Sequence, residues 1–322
     1  MKIAALQMVS GTRLQRNLDA AATLLERAAA AGAQLAALPE HFALLGRHDE
    51  DKLAIAEEPG DGPIQRFLAA QARSRGLWIV GGTLPLRVPG SPRVRNSSLV
   101  FAPDGALAAR YDKMHLFAFD NGREQFDEAR VLDPGAQPAA LQAGALRVGL
   151  SVCYDLRFPE LYRALMVPPC DLIIVPSAFT YTTGRAHWEL LLRARAVEHQ
   201  CYVLASAQGG THASPRAHDR RGHWRTYPSG KRGGPELSSR GRRSDHVVPN
   251  DATSARLPAS VAAAPRDAES GAILSRRTSC CQFSRAHPLP CRDCSRSSPL
   301  PSVFSSCPPT ATGESRTRRS AS

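Results

Sequence analysis

Val148-Gly-Leu-Ser-Val-Cys153-Tyr-Asp-Leu-Arg157-Phe-Pro-Glu160 is the stretch that decides how this chain is read. Its first five residues form a short apolar run of strand type, and Pro159 then opens a short helix through Leu165. Cys153 sits where the strand gives way to the turn. A single cysteine after a strand is ordinarily inert core. Here Tyr154, Asp155 and Arg157 follow at once, too polar a setting for the centre of a sheet, so the thiol is placed where a substrate can meet it.

Working outward, strand and helix patterns alternate. Residues 2–8 read as a strand, and Leu14, Leu18, Ala21, Leu24, Leu25 and Ala28 recur at helical spacing until Gly32 stops them. Residues 34–38 are a second buried strand ending at Pro39-Glu40. Pro63 opens a helix through Ile64, Phe67, Leu68 and Ala72, Gly76 closes it, and residues 77–80 return to strand. Residues 96–101 and 106–111 read as a hairpin about Pro103-Asp-Gly105, and Lys113 leaves its second arm. Residues 118–135 form a polar, glycine-punctuated excursion of the kind found at surfaces and active sites. Residues 171–175 and 201–207 are strands on either side of a helix over 184–200. This alternation predicts a layered α/β domain.

Charge divides the chain. The formal net charge is +12, but residues 211–322 hold 19 Arg or Lys against 8 Asp or Glu, while the first 210 residues hold 22 against 21. The basicity therefore belongs to the tail, which lacks interleaved aromatics and a recognition helix, so specific nucleic-acid binding is not expected. The N-terminal run is too short for a signal peptide and no stretch is long enough to span a bilayer, which makes a cytoplasmic protein with free thiols the expectation. Cys291-Arg-Asp-Cys294 with Cys280 and Cys281 lacks the regular spacing of a zinc site.

Three ionisable groups stand at strand ends: Glu40, Lys113 and Cys153. A cysteine is a strong nucleophile once deprotonated, a fixed ammonium stabilises a developing oxyanion, and a carboxylate relays the proton. Taken singly, Lys113 could be a solvated loop lysine and Glu40 a partly exposed strand-end acid.

The three segments together resemble the nitrilase superfamily of carbon-nitrogen hydrolases, most closely its deaminated-glutathione amidase and omega-amidase types. Leu38-Pro39-Glu40 resembles the glutamate motif, Tyr111-Asp-Lys113-Met-His-Leu116 the lysine motif, and Cys153-Tyr-Asp-Leu-Arg-Phe-Pro-Glu160 the cysteine motif. The likeness extends from Lys2 to about Thr211 through Gly81-Gly-Thr83, Arg95-Asn-Ser97, Pro176-Ser-Ala-Phe179 and Arg193-Ala-Arg195-Ala-Val-Glu198. It implies a four-layer α-β-β-α sandwich and hydrolysis of a small linear carboxamide through a cysteine thioester. Glu40 would be the base, Lys113 the oxyanion cation and Cys153 the nucleophile. Glu128, seven residues before Gly135, would position substrate and tune Lys113. The Tyr154 backbone is the second expected oxyanion donor. Arg157 and Arg123 are candidates for a substrate carboxylate, and Phe179 and Thr180 for pocket lining, although a structural salt bridge is the plainer role for either arginine. The resemblance implies no metal and no cofactor, since the lysine supplies the positive charge, and a homodimer for the intact family fold.

After Thr211 the family's glycine-rich turn and last strands do not follow. The chain becomes rich in Arg, Ser, Pro and Cys, and residues 212–322 read as a low-complexity, disordered tail of a shifted reading frame beginning near residues 212–220. A hydrolase domain of residues 1–211, incomplete at its C-terminal strands, is expected, with an impaired or unstable scaffold as the alternative.

Overall fold

The computed structural model describes residues 1–212 and, as backbone, residues 224–226 and 252–256. Two compact units divide the chain, Met1–Arg266 and Asp267–Ser322, and every described residue belongs to the first.

The elements run in chain order as β1 (Lys2–Leu6), α1 (Leu14–Ala30), β2 (Leu35–Ala37), α2 (Asp51–Ala54), α3 (Pro63–Arg75), β3 (Trp78–Val80), β4 (Leu84–Arg87), β5 (Val94–Phe101) and β6 (Leu107–Asp112). They continue as β7 (Ala118–Asp120), β8 (Gln125–Asp127), β9 (Ala139–Ala143), β10 (Leu146–Leu150), α4 (Pro159–Leu165), β11 (Leu172–Ile174), α5 (Tyr181–His199), β12 (Tyr202–Leu204), β13 (Gly210–His212), β14 (Trp224–Thr226) and β15 (Ala252–Arg256).

One sheet has the order β15-β1-β2-β3-β5-β4, with β6 also on β5, and the other is β12-β11-β10-β9. β1, β2 and β3 are parallel, as are β10, β11 and β12. Side chains alternate across a strand, and here both faces are buried. Ile3, Leu35, Val80 and Val100 point into a core shared with Val148, Leu150, Leu172 and Ile174 of the second sheet. Ala4, Leu6, Ala36, Ile79 and Leu99 point the other way, against Leu18 and Leu25 of α1 and Ile64 and Leu68 of α3. Leu161 and Leu165 of α4 and Trp188 and Leu192 of α5 cover the second sheet from outside. Helices, sheet, sheet and helices are thus the four layers, and each fully buried leucine contributes about 1.5–3 kcal/mol. Among the described residues no helix is long and apolar enough to cross a membrane.

Several elements depart from the sequence reading. Residues 118–127 make a hairpin rather than an irregular loop: Phe119 faces Phe126 in register, and Asn121 Oδ1 accepts from the Arg123 and Glu124 N–H groups to close the turn. β4 was hidden by Pro85, which is tolerated because β4 is an edge strand. β9 was hidden by its alanines. Helix α5 begins at Tyr181, before the expected Gly184, because the Thr180 hydroxyl accepts from the Thr183 N–H.

Beyond Thr211, where the sequence shows no sustained strand-like alternation, two short strands are described. β14 pairs with β13, and β15 lies antiparallel on β1 from Lys2↔Arg256 to Leu6↔Ala252. Backbone pairing along the open side of β1 requires no hydrophobic alternation, which is why the sequence gives no sign of it. The remaining readings for residues 213–322, including the frameshift, the disorder and the tail cysteines, lie outside the described residues.

Candidate active site

The cysteine turn is built under backbone strain. β10 ends in buried Leu150, and Cys153 opens a 3-10 turn over Cys153–Arg157 with φ 47, a left-handed conformation that a non-glycine residue adopts only when its surroundings enforce it. The Cys153 N–H donates to the Pro176 carbonyl at 2.9 Å, and the Asp155 N–H donates to the Val152 carbonyl at 3.0 Å. The thiol is buried and shares the lining of one cavity with Glu40 and Ala178. Burial, then the charge of Glu40, pushes its pKa well above the ordinary thiol value, more than Lys113 restores.

Glu40 follows β2 through Leu38-Pro39. Its Oε1 accepts from Asn96 Nδ2 at 3.0 Å and from Lys113 Nζ at 2.9 Å, and its carbonyl accepts from Gln208 Nε2 at 3.1 Å. Lys113 follows β6 and is pinned by its own backbone: its N–H donates to Asn96 O at 3.0 Å and its carbonyl accepts from Gly135 N at 2.8 Å. Glu128 opens the turn Glu128–Arg130 beyond β8. Its Oε2 accepts from Lys113 Nζ at 2.7 Å and from the Phe117 N–H at 2.8 Å.

The electrostatics follow from burial. Desolvation alone would push the Lys113 ammonium down, but Glu128 and then Glu40 overcome it and hold the pKa well above the ordinary lysine value. For Glu128, burial opposes ionisation while Lys113 and then Lys52 favour it, and the balance leaves its carboxyl below the usual range.

Glu40, Lys113, Glu128, Cys153 and Thr180 line one small cavity. The other predicted residues lie outside its lining. Arg157 sits with its guanidinium 5.0 Å from the Tyr154 ring centroid and 4.9 Å from that of Phe179, and 3.3 Å from His187 Nδ1. Phe179 packs edge-on against Trp188. Arg123 is exposed at the turn of the β7–β8 hairpin.

The cavity also has walls that the sequence did not reveal. His41, Asp49, Lys52, Phe117, Phe126, Asp127 and Ala178 complete it. His41 carried a signal only by adjacency to Glu40; its Nε2 is 3.9 Å from Glu40 Oε1 and 4.0 Å from Glu128 Oε1. Lys52 comes from the four-residue helix α2, too short for a periodic pattern, and is buried beside Asp49 at 3.4 Å. Glu40, His41 and Glu128 bring one potential ligand atom each within 4.8 Å of one another. Both carboxylates bond the Lys113 ammonium, so this set already has its cation.

Comparison with known proteins places these observations. Residues 2–227 match the carbon-nitrogen hydrolase family. A deaminated glutathione amidase of Yersinia enterocolitica is 41% identical over 219 residues, 66% of this chain and 75% of the relative. An omega-amidase of Xenopus tropicalis is 37% identical over 192 residues, 59% of this chain and 68% of the relative. A Saccharomyces cerevisiae protein of branch 10 of the nitrilase superfamily superposes with a TM-score of 0.67 at 28% identity, covering 81% of this chain and 91% of that one. An amidase of Nesterenkonia sp. AN1, solved with acrylamide added at its active-site cysteine, gives a TM-score of 0.65 at 26% identity, covering 83% and 96%.

Proposed function

The chain belongs to the carbon-nitrogen hydrolase family and is an enzyme of its amidase type, and from that premise we propose that it hydrolyses a small linear carboxamide through a thioester on Cys153. The observation that carries this reading is the Lys113 ammonium bonded to both Glu40 and Glu128 in the cavity that the Cys153 thiol enters.

With its pKa raised, the Cys153 thiol is protonated at neutral pH and needs a base, and Glu40, on the lining of the same cavity, is the carboxylate whose charge bears on it most. Glu40 takes the thiol proton as sulfur attacks the carboxamide carbon, and the carbonyl π pair moves to oxygen. An ammonium has three N–H donors; two of those on Lys113 go to Glu40 and Glu128, and the third holds the oxyanion together with the Tyr154 backbone N–H. Glu40 then protonates the nitrogen, the C–N bond breaks, and ammonia leaves a thioester. Water enters, gives a proton to Glu40 and attacks the thioester carbon. Collapse of that second intermediate expels the sulfur, which recovers the proton. The balance is amide plus water to acid plus ammonia. Glu128 keeps Lys113 oriented throughout.

The substrate class follows from the relatives. Proteins named for deaminated glutathione and for omega-amides suggest an amide that also bears a carboxylate. Arg157, backed by two aromatic rings, is the cation we assign to that carboxylate, since a guanidinium pairs with it through two parallel bonds. Helix α5 leaves Leu190 and Val197 exposed seven residues apart on one face, which suits pairing with a second copy. The free thiols of Cys153, Cys170 and Cys201 suit a reducing, cytoplasmic setting.

A panel of neutral and carboxylated linear amides, read by ammonia release, tests the reading. Turnover that Cys153→Ala abolishes supports it. Full turnover in Cys153→Ala refutes it, and folded, monodisperse protein that releases no ammonia from any amide points instead to the impaired scaffold.

A further inference from the structure

Lys113 and Cys153 reach the same cavity from different sheets, and something must set their separation. Asp155, fully buried, stands between the two segments. Its Oδ2 accepts from the Tyr111 hydroxyl at 2.7 Å and the Val152 N–H at 2.8 Å. Its Oδ1 accepts from the His115 N–H at 3.0 Å and lies 2.7 Å from His115 Nδ1. Tyr111 and His115 are each two residues from Lys113, while Val152 and Asp155 bracket Cys153. The His115 ring is also stacked on Phe158, its centroid 3.7 Å away and its plane within 6°, so the lysine segment is held to the cysteine turn a second time.

We infer that Asp155 is a positioning residue for the proposed reaction, a carboxylate clamp that sets Lys113 against Cys153 and holds the strained cysteine turn closed. The inference rests on the thioester reading. An ionised carboxylate has about four acceptor sites, and four donors fill them. The Tyr111 hydroxyl stays protonated, because burial and then the Asp155 charge raise it far above the ordinary phenol range, so it remains a donor. Asp155 lies outside the cavity lining and acts through the residues it holds.

The substitution Asp155→Asn keeps the side-chain size, leaves one oxygen for four donors, and turns an NH₂ toward the rest. A displacement of about 1 Å costs on the order of a hundredfold in rate, so kcat of this variant is expected to fall by about that factor while KM stays within about twofold. Alkylation of Cys153 by iodoacetamide, followed across pH, supplies the readout that a purely structural role would not move. The thiol moves away from Glu40, whose charge raises its pKa more than Lys113 lowers it, and the profile shifts to lower pH. Tyr111→Phe, which removes one donor only, is expected to shift both readouts in the same direction by about tenfold in kcat. Unchanged kcat and an unchanged alkylation profile in folded Asp155→Asn overturn the inference. If that variant does not fold, the same result in Tyr111→Phe overturns it. Turnover retained by Cys153→Ala would sink the thioester reading instead, and the alkylation profile of the unaltered cysteine still reports the clamp.

Discussion

Nζ of Lys113 stands 2.7 Å from Oε2 of Glu128, and the same nitrogen is 2.9 Å from Oε1 of Glu40. One ammonium thus pairs with two buried carboxylates. Replacing it by methionine leaves both charges without their cation, and breaking a buried pair in this way typically costs about 3–5 kcal/mol. Lys113→Met is therefore expected to lose stability on that scale in urea denaturation and to lose amide turnover. A variant as stable as the parent would show that the pair contributes little to the fold.

Glu128 ties stability to acid. Its folded-state pKa lies below the ordinary carboxyl value, so the unfolded chain takes up the proton first as pH falls. The stabilisation is complete above the unfolded pKa and is lost as pH drops through the folded one. Thermal midpoints measured from neutral pH down through the carboxyl range should fall less steeply in Glu128→Gln than in the parent. Parallel curves would contradict the assignment. On the activity side, the same substitution leaves Lys113 held by Glu40 alone, and a loss in kcat of roughly a hundredfold is expected.

Glu40→Gln tests the base directly. The amide side chain fills the same space but takes no proton, so acyl-enzyme formation should slow by about 10²–10⁴-fold, the usual worth of a positioned general base. Rapid-quench ammonia release on a carboxylated amide measures it.

Gly82 presses against the strand end that carries Glu40. It has φ 53, and a Cβ there would lie 2.1 Å from the Pro39 carbonyl oxygen, closer than any relaxation short of moving the Pro39-Glu40 backbone allows. Gly82→Ala is expected to cost about 2–4 kcal/mol and to reduce kcat together with stability. Gly11→Ala, with nothing within 4 Å of the added carbon, is the control. Equal thermal midpoints for the two variants would dispose of the argument.

The carboxylate specificity assigned to Arg157 has its own measure. In Arg157→Met the ratio of kcat/KM for a carboxylated amide to that for its neutral counterpart should drop by about tenfold or more, the loss expected of a charge-assisted bond. An unchanged ratio would assign Arg157 to packing between Tyr154 and Phe179.

The sequence was readable where chemistry and periodicity coincide. Val148, Leu150, Leu172 and Ile174 announce buried strands, and Glu40, Lys113, Cys153 and Glu128, picked out by residue type at strand ends and by resemblance, line one cavity. The readings failed where tertiary context decides. Lys52 lies on a single helical turn, Pro85 masks an edge strand, and β15 pairs with β1, its partner about 250 residues earlier in the chain. Asp155 showed only that its turn was polar. Its four donors come from three residues, two of them about forty positions away, a convergence no local pattern can encode.

Glu40 and Lys113 hang from the first sheet and Cys153 from the second, so the reactive set exists only while the two sheets face each other. A chain emerging from the ribosome displays its carboxylate and its ammonium long before its thiol has a layer to stand on. The meeting of thiol, ammonium and carboxylate is in that sense a late property of assembly, complete only once the second layer closes on the first.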